Sequence, residues 1–359
     1  MTEPAVTAER AQIIRAVFPQ GLPELWCPLL THYRDENATP DLTRIKAHLA
    51  HLSPFVKAFL APGSTGDGWE MSAGLQRELV HALLEIAEEL ELWIMIGVLR
   101  TEPGAAREAM LEMTSELLGG RTPDDPRACA RALAERRVCG FTVTPPRGAA
   151  LTERQIHAEL AAVAELGLPV AFYQLPQITE NEISPRSLAA LAAGYPNFYL
   201  FKDTSGHDRV AQAAQDGEQE YENLFLVRGA ELGYAAWHRG TGGPYHGFLL
   251  STANCFASPF TEMLTALKAG DAPNAKALSD RVSAVAQELF DAAGELPYGN
   301  PFSNANRAID HVFAHGAERA GAIPPPFTIS GNRLPPELIA TAAESLRRNG
   351  FPVEHGYLS

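Results

Sequence analysis

Eight short apolar runs alternate with longer helix-like segments along this chain, and that alternation restricts the possible folds more than any other feature. Each run has the length of a strand, and several lack the every-second-residue pattern, which is typical of parallel strands covered on both faces. The runs are ELWCPLL (24–30), VKAFLAP (56–62), LWIMIGV (92–98), VCGFTVT (138–144), LPVAFYQ (168–174), NFYLFK (197–202), NLFLVRG (223–229) and GFLLST (247–252).

The segments between these runs have the start signals of helices. Thr152 and then Glu153 come directly before RQIHAELAAVAELG, and Ser184 and Pro185 come directly before RSLAALAAG. Threonine and serine are common N-caps, and proline is common in the first turn of a helix. Eight strand–helix alternations from residue 24 to about residue 268 predict an α/β fold, a closed (β/α)8 TIM barrel. A doubly wound open sheet is the alternative that the pattern leaves open.

Beyond residue 270 the sequence indicates helices and no further strand. Three segments with helical periodicity lie there, the last after the proline-rich stretch IPPPFTISGNRLPP. We therefore expect an N-terminal extension at 1–22, helical from Ala8 to Val17, a barrel at 23–268 and a C-terminal helical region at 269–359.

Composition narrows the classes of partner. The formal net charge of −14 argues against nucleic acid and against an anionic membrane surface, because both require a basic face. The N-terminus lacks the apolar core of a secretory signal, and no apolar stretch reaches the length of a membrane span. The four cysteines form no CxxC pair and are expected to be reduced, mostly buried thiols, which fits a cytoplasmic protein.

Three unusual stretches fall where predicted strands end, which is where reacting groups gather in barrels of this kind. The stretch APGSTGDG (61–68) follows the second run, Tyr173 ends the fifth, and Lys202 ends the sixth in FKDTSG. Each has an ordinary explanation when taken alone. Gly63 to Gly66 can be a strand–helix connection, Tyr173 a half-buried aromatic, and Lys202 the ion-pair partner of Asp203.

Taken together, the motifs resemble the pyruvate-dependent Schiff-base lyases and synthases typified by dihydrodipicolinate synthase and N-acetylneuraminate lyase. GSTGDG is similar to that family's GTTGE loop, FYQLP to its YNxP segment, and FKDTSG to its IKEATG or IKDTSG strand. GFLLSTAN (247–254) resembles a strand ending in TAN, and NPFSNANRAI (300–309) resembles the NPxxxKxAL stretch. The resemblance runs in order across nearly the whole predicted barrel.

The resemblance implies a catalytic Lys202 that forms an imine with a 2-oxo acid such as pyruvate, with no other cofactor. The imine withdraws electrons from the neighbouring carbon, so one amine serves first as nucleophile and then as electron sink. A lysine must be neutral to attack, a state that desolvation favours. Tyr173 would move protons, while Ser64, Thr65 and Gly63 would bind the carboxylate; serine replaces the family's first threonine at position 64.

Two departures from the family pattern concern the substrate. The synthase has an arginine two residues after the proline of YNxP, where this chain has Pro176, Gln177 and Ile178. It also has a Tyr-Tyr-Asn stretch after the fourth strand, where this chain reads Thr144-Pro-Pro-Arg-Gly. Both argue against dihydrodipicolinate synthesis. The FKDTSG strand resembles family members that act on sugar acids and other 2-oxo acids as aldolases or dehydratases, so the resemblance implies that branch. Arg147 either binds a distal anionic group or caps the following helix.

Other hypotheses remain open at this stage. One is a dihydrodipicolinate synthase-like condensing enzyme, and another is a non-catalytic relative that binds a 2-oxo acid. A metal enzyme would need converging ligands, and His238 and His246 are spaced as in no standard metal motif, so no metal is expected. The resemblance also implies a homo-oligomer, a tetramer or dimer.

Overall fold

Eight parallel strands form a closed barrel in chain order, so the predicted fold is confirmed. The computed structural model describes residues 3–120, 125–221 and 223–358. Every predicted apolar run contains one strand. The strands are β1 (Leu25–Pro28), β2 (Ala58–Ala61), β3 (Trp93–Val98), β4 (Val138–Val143), β5 (Val170–Gln174), β6 (Phe198–Asp203), β7 (Phe225–Arg228) and β8 (Gly247–Leu249).

Fifteen α-helices lie in the described part of the chain, several of them short. They are α1 (Glu3–Val17), α2 (Leu42–Leu52), α3 (Ala73–Leu90), α4 (Ala105–Leu118), α5 (Pro126–Ala134), α6 (Glu153–Ala164), α7 (Pro176–Thr179), α8 (Pro185–Gly194), α9 (Arg209–Gln215), α10 (Tyr234–Trp237), α11 (Ala253–Lys268), α12 (Ala272–Gly294), α13 (Pro301–His315), α14 (Ala317–Ala320) and α15 (Pro336–Arg348). None of the helices in these ranges combines the length and the apolar character that crossing a bilayer requires.

The start signals in the sequence act as expected at two helices. Thr152 caps α6 in a reciprocal capping box with Gln155, and the Ser184 hydroxyl accepts from the N–H of Ser187 at the start of α8. Helix α4 begins at Ala105, directly after Gly104. Gly104 has a φ of 77°, a left-handed conformation that costs glycine little.

The chain divides into two compact units. One comprises residues 1–24, 87–230 and 243–249, with strands β3 to β8. The other comprises residues 25–86, 231–242 and 250–359, with β1, β2 and the C-terminal helices. In the second unit α12 packs on α11, α13 and α15, so the three predicted C-terminal helices are present, with α14 as a short addition.

The N-terminal helix is attached to the first unit by a buried arginine. Arg10 is fully buried and donates to the carbonyl of Phe198 at 2.8 Å and that of Tyr195 at 3.1 Å, and also to Ala192 O. These carbonyls lie around the end of α8 and the start of β6. The helix, which begins at Glu3, not at Ala8, therefore supports the strand that carries Lys202.

Replacing Arg10 by methionine is expected to lower the free energy of unfolding by about 3 kcal/mol, because buried carbonyls lose their donor. Urea denaturation followed by circular dichroism measures the change. Arg15→Met, on the exposed side of the same helix, is the matched control and should change stability by less than about 0.5 kcal/mol. Equal effects of the two substitutions would contradict this role of Arg10.

Candidate active site

Lys202 and Tyr173 lie side by side on neighbouring strands. They are register partners in the parallel pair of β5 and β6, so both side chains project from the same face of the sheet. The Lys202 Nζ atom lies 4.1 Å from the centre of the Tyr173 ring. Lys202 is only 4% exposed and Tyr173 only 2%. The amine is thus held against an aromatic face with little access to water.

A glycine makes room for the lysine side chain. At Gly229, directly after β7, an added Cβ would lie 2.7 Å from Lys202 Cε and even closer to Thr204 Oγ1. Real Cβ atoms do not approach other atoms so closely, so any larger residue would push the lysine or the threonine aside. Gly229 therefore fixes where the Lys202 side chain can run.

The loop after Lys202 is held by a network of buried charges. Asp203 accepts from the N–H of Ser205 at 2.9 Å and from the Tyr245 hydroxyl at 3.2 Å. The single proton of that hydroxyl is shared with Asp208, whose oxygen is closer at 2.6 Å. Both oxygens of Asp208 also accept hydrogen bonds from Arg228, at 3.1 and 3.2 Å. Burial raises the pKa of Asp203. Asp203 thus orients this loop.

The stretch Gly63 to Gly68 folds into a tight turn. The N–H groups of Gly66, Asp67 and Gly68 donate to carbonyls of the turn itself, at 2.9 to 3.1 Å. At Gly66 an added Cβ would lie 2.5 Å from the carbonyl oxygen of Leu29, so this position requires glycine. Thr65 is buried and Ser64 half-buried, and the Ser64 Oγ accepts from the Trp69 indole N–H at 2.8 Å.

A buried ion pair anchors this turn to helix α13. Arg307 pairs with Asp67, both almost fully buried, and also donates to the carbonyl of Thr31 at 3.1 Å. The Tyr33 hydroxyl donates to Asp67 at 2.9 Å, and the Thr31 hydroxyl donates to the Gly66 carbonyl at 2.9 Å. Buried charges need such partners because an unpaired one costs several kcal/mol.

Arg147 lies on the surface and has a carboxylate partner. Its side chain is 60% exposed, and its Nε donates to Glu180 at 2.8 Å. The helix that follows is capped by Thr152, not by Arg147. The substrate-binding role expected for Arg147 stays a prediction.

Several residues around these motifs were not recognised from the sequence. Asp208, Arg228, Tyr245 and Gly229 have no distinctive spacing, because their partners in the site lie 20 or more residues away in the chain. Trp69 lies only five residues after its partner Ser64, but it belongs to none of the quoted motifs. Arg307 could have been found, since it is the one cationic residue of the quoted NPFSNANRAI stretch. Asp67, likewise, belongs to the quoted GSTGDG loop.

One buried cluster has the composition of a metal site. His32, His48 and Asp310 offer ligand atoms that all lie within 4.8 Å of one another. His48 bonds through Nδ1 to His32 at 3.0 Å and through Nε2 to the Asn254 carbonyl at 2.9 Å, while Asp310 pairs with Arg44 and accepts from Tyr357. The Arg44 guanidinium that pairs with Asp310 would repel a metal cation at the same carboxylate. The geometry therefore favours a hydrogen-bonded network over a metal site. The expected lack of a metal stays a prediction.

The two histidines named from the sequence each bond to backbone. His238 Nδ1 accepts from the N–H of Gly240 at 3.0 Å, and His246 Nδ1 accepts from the N–H of Leu226 at 2.9 Å. Within the described residues all four cysteines are free thiols, and three of them are buried.

Comparison with known proteins identifies one family repeatedly. A model of the "Dihydrodipicolinate synthetase family" matches residues 139–299. A 4-hydroxy-tetrahydrodipicolinate synthase of Agrobacterium fabrum is 23% identical over 265 residues, which is 73% of this chain and 81% of the relative. A synthase of the same name from Azoarcus is 24% identical over 264 residues, 73% of this chain and 81% of that protein.

Solved structures of that family share the fold. The dihydrodipicolinate synthase of Bacteroides thetaiotaomicron aligns with a TM-score of 0.70 at 17% identity, covering 90% of this chain and 97% of that one. YagE, a protein of the same family from Escherichia coli K12 that was solved in complex with pyruvate, aligns with a TM-score of 0.67 at 17% identity. The alignment covers 92% of this chain and 100% of YagE. The family matched here is the one that the motifs resemble.

Substituting Gly229 by alanine tests whether the space around Lys202 matters. The added methyl group would displace the lysine side chain, and a shift of about 1 Å can reduce reaction rates roughly 100-fold. We expect covalent trapping of pyruvate by borohydride to slow by about that factor, as followed by intact-protein mass spectrometry. Gly194→Ala, where the added carbon meets no atom within 4 Å, is the control. Unchanged trapping in Gly229→Ala would contradict the assigned role.

The histidine cluster predicts loss of stability in mild acid. Burial lowers the pKa of both His32 and His48. A histidine whose pKa in the folded protein lies below its unfolded value of about 6.5 binds a proton more readily when the chain is unfolded. Its contribution to stability is therefore complete above about pH 6.5 and is lost as the pH falls below it.

The free energy of unfolding should therefore fall between pH 7 and pH 5. In His48→Gln the fall should be smaller by about 1–2 kcal/mol, because one proton-linked group is removed. Urea titrations at the two pH values measure the difference. His207→Gln, at an exposed histidine paired with Glu182, serves as control. The same pH dependence in wild type and His48→Gln would exclude this linkage.

Proposed function

We infer from the membership of this chain in the dihydrodipicolinate synthase and N-acetylneuraminate lyase superfamily that it is a Schiff-base-forming lyase. In this proposal it acts on pyruvate or on a 2-oxo sugar acid through Lys202. The reaction is an aldol cleavage or a dehydration, and the lysine imine takes the place of a separate cofactor.

The observation that carries the proposal is the placement of Lys202 over the Tyr173 ring, with 4% of the lysine exposed. An amine beside a phenol is the pair of groups that attack on a ketone and the accompanying proton transfers require. Simple binding of a carboxylate needs neither a buried amine nor a phenol beside it. The arrangement therefore supports a catalyst more than a non-catalytic binding protein.

The proposed chemistry proceeds in two stages. The Lys202 amine attacks the C2 carbonyl carbon, and the carbonyl oxygen leaves as water when the protonated imine forms. The bond from C3 to C4 then breaks, or in a dehydration the C–O bond at C4 breaks after C3 loses a proton. The protonated imine accepts the electron pair left on C3. Tyr173 is proposed to carry the protons that these steps move.

We assign the carboxylate of the 2-oxo acid to the turn at Gly63, Ser64 and Thr65. Hydroxyl and backbone N–H donors in such a turn suit a small anion. The pyruvate complex of the Escherichia coli family member supports a 2-oxo acid as the substrate class.

The sugar-acid branch is favoured by unpaired hydroxyls near Lys202. Three threonines, Thr142, Thr144 and Thr204, have buried hydroxyl oxygens without a hydrogen-bond partner in the described structure. Thr142 is the register partner of Ala171, two residues before Tyr173, so it lies on the face that carries Tyr173 and Lys202. Buried hydroxyls left unpaired are costly, and a hydroxylated substrate would satisfy them. Synthesis of dihydrodipicolinate is the second candidate, which the curated relatives suggest.

Arg147 remains a candidate for a distal anionic group, although its pairing with Glu180 supports a role in the loop. Assembly as a dimer or tetramer and residence in the cytoplasm also stay proposals.

Replacing Lys202 by arginine tests the proposed function. Arginine keeps the positive charge but cannot form the imine, so we expect no borohydride trapping of pyruvate and no product from any 2-oxo acid in a panel of hydroxylated and dicarboxylic substrates. Lys276→Arg, at an exposed lysine paired with Asp280, should behave as wild type. Product analysis by mass spectrometry separates cleavage from dehydration.

Three outcomes would count against the proposal in different ways. Wild-type protein that traps no 2-oxo acid would exclude the imine chemistry altogether. Trapping without any product would favour the non-catalytic relative. Turnover confined to the condensation of pyruvate with a dicarboxylate precursor would favour the synthase.

A further inference from the structure

Trp69 contacts the proposed carboxylate-binding turn in a way that the motifs do not explain. Its indole Nε1 donates to the Ser64 Oγ at 2.8 Å across five residues of chain. Both side chains are half-buried. The bond therefore joins a residue outside the recognised motif to one of the hydroxyls assigned to the substrate.

The polarity of this bond is fixed by chemistry. An indole N–H is a donor only, so the Ser64 oxygen must be the acceptor. A hydroxyl has a single proton, and once its oxygen accepts from the indole, that proton is directed away from Trp69. A carboxylate accepts hydrogen bonds and donates none, so Ser64 can bind it only as a donor. Accepting one hydrogen bond also strengthens the bond that the same hydroxyl donates.

The identity of residue 64 explains why such an orienting contact matters here. A threonine has a second heavy atom on Cβ, which restricts its χ1 angle, whereas serine rotates more freely and readily bonds to nearby backbone groups. This chain has serine where the resembling motif has threonine. The indole supplies from outside the orientation that a β-branched side chain supplies itself.

Trp69 is itself held firmly on its backbone. The preceding Gly68 carbonyl accepts from the Gln76 side chain at 2.6 Å, and the N–H of Glu70 donates to the carbonyl of Asp67 at 3.1 Å. Asp67 is fixed in turn by its buried pairing with Arg307. The indole donor is therefore attached to a rigid part of the turn.

We propose that Trp69 is a positioning residue that orients the Ser64 hydroxyl as a donor to the substrate carboxylate, a role that rests on the proposed function. The effect is confined to binding of the carboxylate, because Trp69 takes no part in imine formation at Lys202. It therefore distinguishes ketones with a carboxylate from ketones without one.

The experiment uses Trp69→Phe, which keeps an aromatic ring and removes the donor. Borohydride trapping is measured over a range of pyruvate concentrations and, separately, of hydroxyacetone, a ketone that lacks the carboxylate. We expect the half-saturating pyruvate concentration to rise about tenfold, because the substrate carboxylate loses the equivalent of one hydrogen bond to a charged group. The maximal trapping rate and the hydroxyacetone response should stay within about twofold. Trp93→Phe, at a half-buried tryptophan against Phe18, is the matched control.

A double substitution separates orientation from general damage. In a Ser64→Ala background, Trp69→Phe should add no further loss, because the hydroxyl that it orients is gone. Additive losses, or equal weakening of pyruvate and hydroxyacetone, would overturn the proposal. Wild type that traps neither ketone would instead overturn the proposed function, so the two failures are distinct.

A measurement on Ser64→Ala keeps the test valid even where Trp69→Phe does not fold. Of the four indole N–H resonances of the chain, one should move upfield in 15N-tryptophan-labelled Ser64→Ala relative to wild type, as its acceptor is removed. The same resonance should shift when wild type is saturated with pyruvate and not with hydroxyacetone. Indole signals that do not respond to Ser64→Ala or to pyruvate would contradict the role of Trp69.

Discussion

The burial of one lysine amine against one phenol ring is the constraint on which the account of this protein depends. An ammonium group inside a barrel is costly, so the sequence must make the position of Lys202 tolerable through its neighbours. Tyr173 supplies an aromatic face at 4.1 Å on the next strand, and Gly229 leaves the space through which the side chain passes.

Buried charge pairs hold the loops that follow the strands. In one unit, Arg228 forms a bidentate ion pair with Asp208. The Tyr245 hydroxyl connects Asp208 to Asp203, and these contacts fix the loop directly after Lys202. In the other unit, Asp67 and Arg307 tie the turn containing Ser64 to helix α13. Such pairs add little net stability compared with apolar packing, but breaking one would leave an uncompensated buried charge, so each pair holds its loop in place.

The sequence predicts the barrel well, because its signal is local and repeated. Eight apolar runs, several of them without alternation, identified the eight strands, and caps such as Thr152 and Ser184 placed the starts of α6 and α8. The helices α7, α9 and α10 were missed because segments of four to seven residues have too few turns for a periodic pattern. Helix α5 follows α4 within one strand–helix connection, and only Asp125 and Pro126 signal its start.

The candidate site can be recognised from the sequence only in part, for a physical reason. Motifs next to strands identified Lys202, Tyr173 and the turn at Ser64, whose residues are close in sequence to the strands that carry them. The residues that orient them, such as Arg228, Tyr245 and Arg307, act through contacts between distant parts of the chain, and no local pattern encodes those contacts. The glycine at 229 illustrates the limit, since its importance lies in the atoms that surround it and not in its neighbours in sequence.

The most direct test of the account is to locate the covalent adduct. Protein incubated with pyruvate and borohydride is digested, and the peptides are sequenced by tandem mass spectrometry. We expect a single modified residue, Lys202, heavier by one pyruvate less one oxygen atom, as a reduced imine requires. An adduct spread over exposed lysines such as Lys57 and Lys276, with Lys202 unmodified, would contradict the central claim.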